Sequence, residues 1–330
     1  MAVWVFPGQG SQRPDMTAGL DAAPALLREA LDLIGAGHRP DDAGHLEDPE
    51  DPEFVQPALF VVGVAAATAL LRHEPPPAAV IGHSFGEFAA LTAAGALPFE
   101  TGLRLAVLRA RAMARLADAR TGMAAVLGLT PDQVRAVCAD ITAATGDGDF
   151  VQVSNINSPS QAVVAGTTAA LAAAADLCRE RGAFRVRPIR VPYAAHTPLM
   201  APAAAELRAA LGNADIRVPA AKLYSCLTGE ATADPDRIRE LLVRGMTRPV
   251  DFHAAVRAAA HDGHRTFVEL GPGSPARLLG LIAETLAAQV PPPRLRLVSS
   301  DAEAKTPQPF GAGRSRPRPN PTRQAVDDAR

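Results

Sequence analysis

Cysteine is nearly absent from this chain: three residues in 330, Cys138, Cys178 and Cys226, each far from the others in sequence and none in a Cys-x-x-Cys spacing. That excludes a disulfide framework and a cysteine zinc site, and it predicts reduced core thiols in a cytoplasmic protein. Aromatic residues make up only 4% of the chain, so its core must be built from the Ala, Val and Leu that dominate the 48% hydrophobic fraction. A net charge of -2 gives no general electrostatic reason to bind nucleic acid or an anionic membrane. No basic leader precedes the strand-like Met1-Ala2-Val3-Trp4-Val5-Phe6, so no signal peptide is expected. One apolar run, Phe54 to Leu71, approaches membrane-span length, but Pro57, Gly63 and many alanines predict a buried helix with Pro57 in its first turn.

Nucleotide-binding patterns are missing as well. Val3–Phe6 reads as a buried strand that delivers the glycine-rich loop Pro7-Gly8-Gln9-Gly10-Ser11-Gln12. A P-loop would need Gly-Lys-Ser/Thr, and a dinucleotide fingerprint would need a glycine where Arg13 stands.

What the chain does contain is Gly82-His83-Ser84-Phe85-Gly86, preceded by the apolar Ala78-Ala79-Val80-Ile81 and followed by Glu87-Phe88-Ala89-Ala90-Leu91. Strand, sharp turn and helix in that order form a nucleophile elbow, with the helix N-terminus aimed at any oxyanion forming beside the serine. A serine nucleophile needs a base, and there are eight histidines. His38 and His45 fall in a polar, Asp/Pro-rich segment (15–53), irregular apart from a helical patch at 25–34. His261 and His264 sit in a surface-like turn, and the side chain of His83 should point away from Ser84. His196 lies where an inserted unit hands back to the main one, a seam where clefts form; spacing alone does not choose it.

That inserted unit is read from its own pattern. Strands at 123–128, 150–155 and 161–166, the second and third joined by a turn at Asn157-Ser158-Pro159, a helix opened by Thr130-Pro131, an alanine-rich helix over 167–181 and a strand at 184–191 give the order β-α-β-β-α-β. The expected fold class is α/β: an α/β-hydrolase-like large subdomain with an inserted ferredoxin-like (βαββαβ) small subdomain. The division is 1–122 and 193–290 for the large part, 123–192 for the small one, and 291–330 as a disordered Pro/Arg-rich tail. A helix over 99–119 carries Arg104, Arg109, Arg111 and Arg115, by default a solvated face.

Several separate motifs occur in one order: Phe6-Pro7-Gly8-Gln9-Gly10-Ser11-Gln12, Gln56-Pro57-Ala58-Leu59, Gly82-His83-Ser84-Phe85-Gly86-Glu87, Arg109 with Met113, Asn157-Ser158-Pro159, His196 with Pro198-Leu199-Met200, Arg248-Pro249-Val250 and Glu269-Leu270-Gly271-Pro272-Gly273. In these the chain resembles the malonyl-CoA:acyl carrier protein transacylases, the family shared with the acyltransferase domains of fatty-acid and polyketide synthases, from about Val3 to Ala288.

The resemblance implies that Ser84 is the acylated nucleophile, His196 its base, and the backbone N–H groups of Gln9 and Phe85 the oxyanion hole. Arg109 becomes the grip on the malonyl carboxylate, for which a planar guanidinium is suited, and Tyr193 and Asn157 join the substrate site. For the group that orients His196, the family uses a backbone carbonyl near the Arg-Pro-Val motif. The matching position here is Asp251, a candidate orienting residue whose side chain reads better as a helix N-cap. The implied reaction moves malonyl from CoA to the phosphopantetheine thiol of an acyl carrier protein, with no metal or bound cofactor. Phe85 suits malonyl, whereas Tyr193-Ala194-Ala195-His196 leans towards the tetrad of methylmalonyl-selective relatives, with malonyl favoured. An editing hydrolase with the same dyad is the alternative.

Overall fold

The computed structural model describes residues 2–13, 16, 52–145, 148–273 and 276–299. The polar segment after residue 16, including His38, His45 and the expected helix at 25–34, lies outside them.

Strand β1 (Val3–Phe6) is buried along its whole length. Its run of unbroken apolar residues is what a strand covered on both faces by helices requires. Helix α1 (Pro52–Leu71) follows, then β2 (Ala79–Gly82), α2 (Gly86–Ala93) and α3 (Phe99–Ala114). Helix α1 is long and apolar enough to cross a membrane, yet it packs inside the protein with most of its length buried. It starts earlier than expected, which puts Pro57 inside the helix rather than in its first turn. Helix α3 stops at Ala114, short of the expected 119, as the chain turns towards the small unit.

That unit comprises β3 (Thr121–Leu127), α4 (Pro131–Ala144), β4 (Val151–Ser158), β5 (Gln161–Thr167), α5 (Thr168–Glu180) and β6 (Arg185–Ile189). Helix α4 opens on a full capping box between Thr130 and Gln133. Strand β4 runs through Ser158, so the reversal falls at Pro159-Ser160, later than the turn expected at 157–159. The chain enters and leaves side by side, where the Asp118 N–H donates to the Pro192 carbonyl at 2.8 Å.

The large unit resumes with a short 3-10 turn (Pro198–Met200), α6 (Ala201–Gly212), β7 (Lys222–Tyr224), β8 (Ala231–Thr232), α7 (Pro235–Arg244), β9 (Val250–Asp251), α8 (Phe252–His261), β10 (Thr266–Gly271), α9 (Leu278–Thr285) and β11 (Arg294–Ser299). Six strands order as β11-β10-β1-β2-β7-β8, parallel except at β8. The pleat divides their side chains between two cores: Trp4, Phe6, Val80 and Val268 face the α1 side, while Val3, Val5, Ile81 and Phe267 face α8 and α9.

The second sheet orders as β6-β3-β5-β4-β9. Its first four strands have the ferredoxin-like arrangement. The fifth, β9, belongs in sequence to the large unit and pairs parallel to β4 at Asn155–Val250 and Ile156–Asp251. A third core of Val126, Val134, Val137 and Val164 with Cys138 and Cys178 lies under this sheet.

The segment expected to be a tail from 291 instead starts with β11. Arg-Leu-Arg-Leu-Val-Ser alternates: Leu295 and Leu297 pack against the second core, and Arg296 meets Glu74 beyond the end of α1 at 2.5 and 2.7 Å. Residues 300–330 lie outside the described part. Glu269 closes the other side of this edge. Its buried carboxylate accepts the N–H groups of Arg277, Leu278 and Leu279 at 2.8, 2.9 and 3.0 Å, supplying the first turn of α9 with acceptors its own chain lacks.

Candidate active site

In a parallel sheet, loops at the carboxyl ends of the strands converge on one edge. Here β1 ends in the Pro7–Gln12 loop and β2 in the elbow, and the two are in contact. His83 N–H donates to the Phe6 carbonyl at 2.9 Å. The glycines are dictated by this closeness. A Cβ on Gly82 would lie 2.1 Å from the Glu87 nitrogen, and one on Gly86 would lie 2.1 Å from the Phe6 oxygen.

Ser84 has φ 54, a left-handed conformation that costs a non-glycine residue about 1–3 kcal/mol and lifts its side chain out of the turn. Among the described residues, His196 is the other non-glycine residue with positive φ, at 62. It stands in a tight turn closed by Thr197 Oγ1 donating to the Ala194 carbonyl at 2.7 Å. These two strained residues meet: Ser84 Oγ lies 2.8 Å from His196 Nε2.

The other ring nitrogen sets the tautomer. His196 Nδ1 is 2.6 Å from the Gly245 carbonyl oxygen, which can only accept, so Nδ1 carries the proton and Nε2 offers a lone pair to the serine hydroxyl. Burial, and then the nearby charge of Arg109, lower the His196 pKa from 6.5 to about 3. A neutral imidazole is therefore the resting form.

Asp251 does not perform the orienting role for which it was a candidate. Its Oδ1 accepts the Ala254 N–H at 2.7 Å and caps α8, and Gly245 provides the carbonyl instead. No side-chain signal marks Gly245, since any residue carries that oxygen; only a resemblance at the level of backbone position could have located it.

Of the four arginines on α3 and its C-cap, Arg109 is the buried one, 5% exposed. Arg104 and Arg115 pair with Glu100 and Glu206 in solvent. Arg109 donates to Gln56 Oε1 at 2.5 Å, and its guanidinium carbon lies 5.6 Å from the Phe85 ring centroid. Gln56, in the Gln56-Pro57-Ala58-Leu59 stretch of α1, is the arginine's anchor. From there a polar chain continues: Gln56 Nε2 donates to Gln9 Oε1 at 3.4 Å, and Tyr193 Oη donates to the same oxygen at 2.8 Å. Ser84, Arg109, His196, Glu87, Cys226 and Gly245 line one pocket.

Phe85 follows Ser84 in the elbow, and Gln9 lies in the loop after β1. Among the described residues, no backbone carbonyl accepts either N–H outside the helices and strands. Asn157 is farther back. Its Oδ1 accepts from His83 Nε2 at 2.8 Å and its Nδ2 donates to Gln161 at 3.0 Å, so it fixes the histidine beside the serine and turns that ring away from it. No cluster of three or more His, Cys, Asp or Glu side chains that could hold a metal ion occurs among the described residues.

Serine, neutral histidine and a buried guanidinium in one pocket can form an acyl ester at the serine and hold a negatively charged acyl group. Residues 3–299 match the acyl transferase domain. The chain belongs to the acyl transferase family. It is 34% identical over 277 residues to the malonyl CoA-acyl carrier protein transacylase of Haemophilus influenzae, covering 82% of this chain and 88% of that one. An acyl-carrier-protein S-malonyltransferase from Burkholderia pseudomallei superposes with a TM-score of 0.77 at 34% identity, over 86% of this chain and 93% of the other. A malonyl-transacylase in complex with a type II polyketide-synthase acyl-carrier protein superposes with a TM-score of 0.78 at 28% identity, over 89% and 94%.

Proposed function

We propose that this acyltransferase moves a malonyl group from CoA to the phosphopantetheine thiol of an acyl carrier protein, through a malonyl ester on Ser84. The observation that carries the reading is a Ser84–His196–Gly245 relay in one pocket with a buried, carboxylate-ready Arg109. The names borne by the relatives support the same substrate pair.

In the first half-reaction, His196 Nε2 takes the Ser84 proton as Oγ attacks the thioester carbon. The resulting oxyanion is held by the N–H groups of Gln9 and Phe85. Collapse breaks the carbon–sulfur bond, and the proton on His196 goes to the departing CoA sulfur. The carrier thiol then attacks the ester by the same steps in reverse, and Ser84 regains its proton.

The malonyl carboxylate sits on Arg109, whose remaining N–H groups bond both of its oxygens. The polar chain through Gln56 and Gln9 to Tyr193 ties the carboxylate grip to the oxyanion loop. A hydrolase of neutral acyl chains would gain nothing from a buried cation, so transfer is preferred to editing. We place the reaction in the cytoplasm, in fatty-acid or polyketide synthesis, with no bound cofactor.

Intact-protein mass measurement after mixing with malonyl-CoA is the test. One malonyl mass added to the wild type, none to Ser84→Ala, and its discharge onto a holo acyl carrier protein are expected. A stable protein that gains no mass, or an ester that goes only to water in the presence of the carrier, overturns the reading.

A further inference from the structure

One titratable group in the acyl pocket has no part in the mechanism above. Glu87 follows Ser84 by three residues, in the first turn of α2, and is buried with 8% exposure. It lines the pocket with Ser84, Arg109 and His196 and accepts the Cys226 backbone N–H. Among the described residues Glu87 forms no ion pair with Arg109, which bonds Gln56 instead.

Among the described residues, the charged and titratable groups around it come from several elements. Arg109 comes from α3, with Tyr193 coupled to that arginine, and His196 and His83 come from the loops at the serine. Cys226 and Asp251 come from the ends of β7 and β9. Arg109 is the one permanent cation in that set; Glu87 lines the pocket with it, while the Asp251 carboxylate is engaged in capping α8. A carboxylated acyl group delivers a second anion to the same cation, in a space where water cannot screen the two.

We infer that Glu87 is the charge-compensating residue of the pocket: an anion beside Arg109 in the free enzyme, it takes one proton from solvent when a malonyl carboxylate occupies Arg109. The inference rests on the malonyl reading above and adds a residue to it. The resting state is suited to this exchange. Burial raises the carboxyl to about 7, against the opposing pull of the Cys226 N–H and Arg109, so a second nearby anion raises it further and favours the protonated form at neutral pH. Proton uptake also accounts for selectivity by form: acetyl or longer neutral acyl groups bring no anion and take up no proton.

The experiment is calorimetric titration of Ser84→Ala, which cannot be acylated, with malonyl-CoA and with acetyl-CoA at pH 8, in two buffers of different ionisation enthalpy. Both ligands carry the same CoA phosphates, so the difference in protons bound isolates the carboxylate. The expected difference is at least about half a proton per malonyl-CoA, falling to zero when Glu87→Gln is added. Malonyl-CoA that binds with the same proton count as acetyl-CoA, or an uptake that survives Glu87→Gln, overturns the inference.

If Glu87→Gln does not fold, the wild-type ratio of malonyl to acetyl acylation decides. It should fall above pH 7 by up to about tenfold per pH unit, and a ratio independent of pH overturns the proposal. Failure of the malonyl reading looks different: no malonyl-CoA binding and no adduct on Ser84.

Discussion

Arg109→Ala separates the carboxylate grip from everything else in the pocket. Arg109 is 5% exposed and spends one N–H on Gln56, so a bound carboxylate meets a guanidinium stripped of water. Removing one partner of such a desolvated pair costs about 3–5 kcal/mol, chiefly because the surviving charge is left buried alone. At 1.36 kcal/mol per tenfold in rate, kcat/KM for malonyl-CoA should fall roughly 150- to 5,000-fold. Acetyl-CoA has no carboxylate and escapes that penalty. It pays only for the lost anchor on Gln56 and the lost cation over Phe85, on the order of 1 kcal/mol, or within about tenfold. Arg109→Lys keeps the charge but not the two parallel bonds, and should lie between the two extremes. Quenched-flow acylation of Ser84 with each donor, read by intact mass, gives the ratio directly. A malonyl-to-acetyl ratio within about threefold of wild type in Arg109→Ala would refute the assignment.

Three further outcomes test other parts of the site. Asp251→Ala should remove a helix cap worth about 1 kcal/mol of stability yet leave acylation within a few fold of wild type; a loss near 10⁴, the scale for a lost triad acid, would return the orienting role to its side chain. Tyr193→Phe removes the 2.8 Å bond to Gln9 and should lower kcat about fivefold to tenfold with KM nearly unchanged, as measured in steady-state transfer to the carrier. For pH, the base acts when unprotonated and His196 is pulled from 6.5 to about 3, so acetyl-CoA acylation should stay flat from pH 7 down to about pH 5, whereas a break near 6.5 would contradict a neutral buried base. The unfolded chain binds that proton first, so the contribution of His196 to stability is full above 6.5 and is lost as pH falls towards 3; thermal midpoints from pH 7 to pH 4 should decline accordingly.

The elbow and the inserted βαββαβ unit were legible in the sequence because their signals are local. Gly82 and Gly86 are required by backbone contacts within a few residues or one strand away, and Thr130-Pro131 opens a helix by its own capping chemistry. The pairing of His196 with Ser84 spans 112 positions, and only the order of several motifs suggested it. Arg109 looked like any of four helical arginines, and its burial depends on α1 bringing Gln56 alongside. Two features were hidden for different reasons. Gly245 acts through its carbonyl and so has no side-chain signal, whereas the Leu-x-Leu strand alternation of β11 is masked by the Pro/Arg-rich composition around it.

The Arg-Pro-Val-Asp stretch shows how the two halves of the pocket are held in register. Ser84 is set by the large sheet, and His196 sits where the small unit ends, so rotation between the units would open their 2.8 Å contact. Strand β9 prevents this by belonging to both. Val250 and Asp251 add a fifth strand to the small sheet beside β4, while the Asp251 N–H donates to the carbonyl of Cys226, at the end of β7 in the large sheet, at 2.5 Å. The Cys226 thiol in turn donates to the Gly82 carbonyl at 3.2 Å, the residue that starts the elbow, and Gln152 on β4 donates to the His196 carbonyl at 3.2 Å. Nucleophile and base are therefore joined by a closed path of hydrogen bonds through β4, β9 and Cys226, independent of the bond between them. Two residues held in left-handed conformations each need surroundings that over-determine them. This path supplies that constraint from both sheets, so Asp251 serves the site through its backbone and its cap rather than through a carboxylate on the histidine.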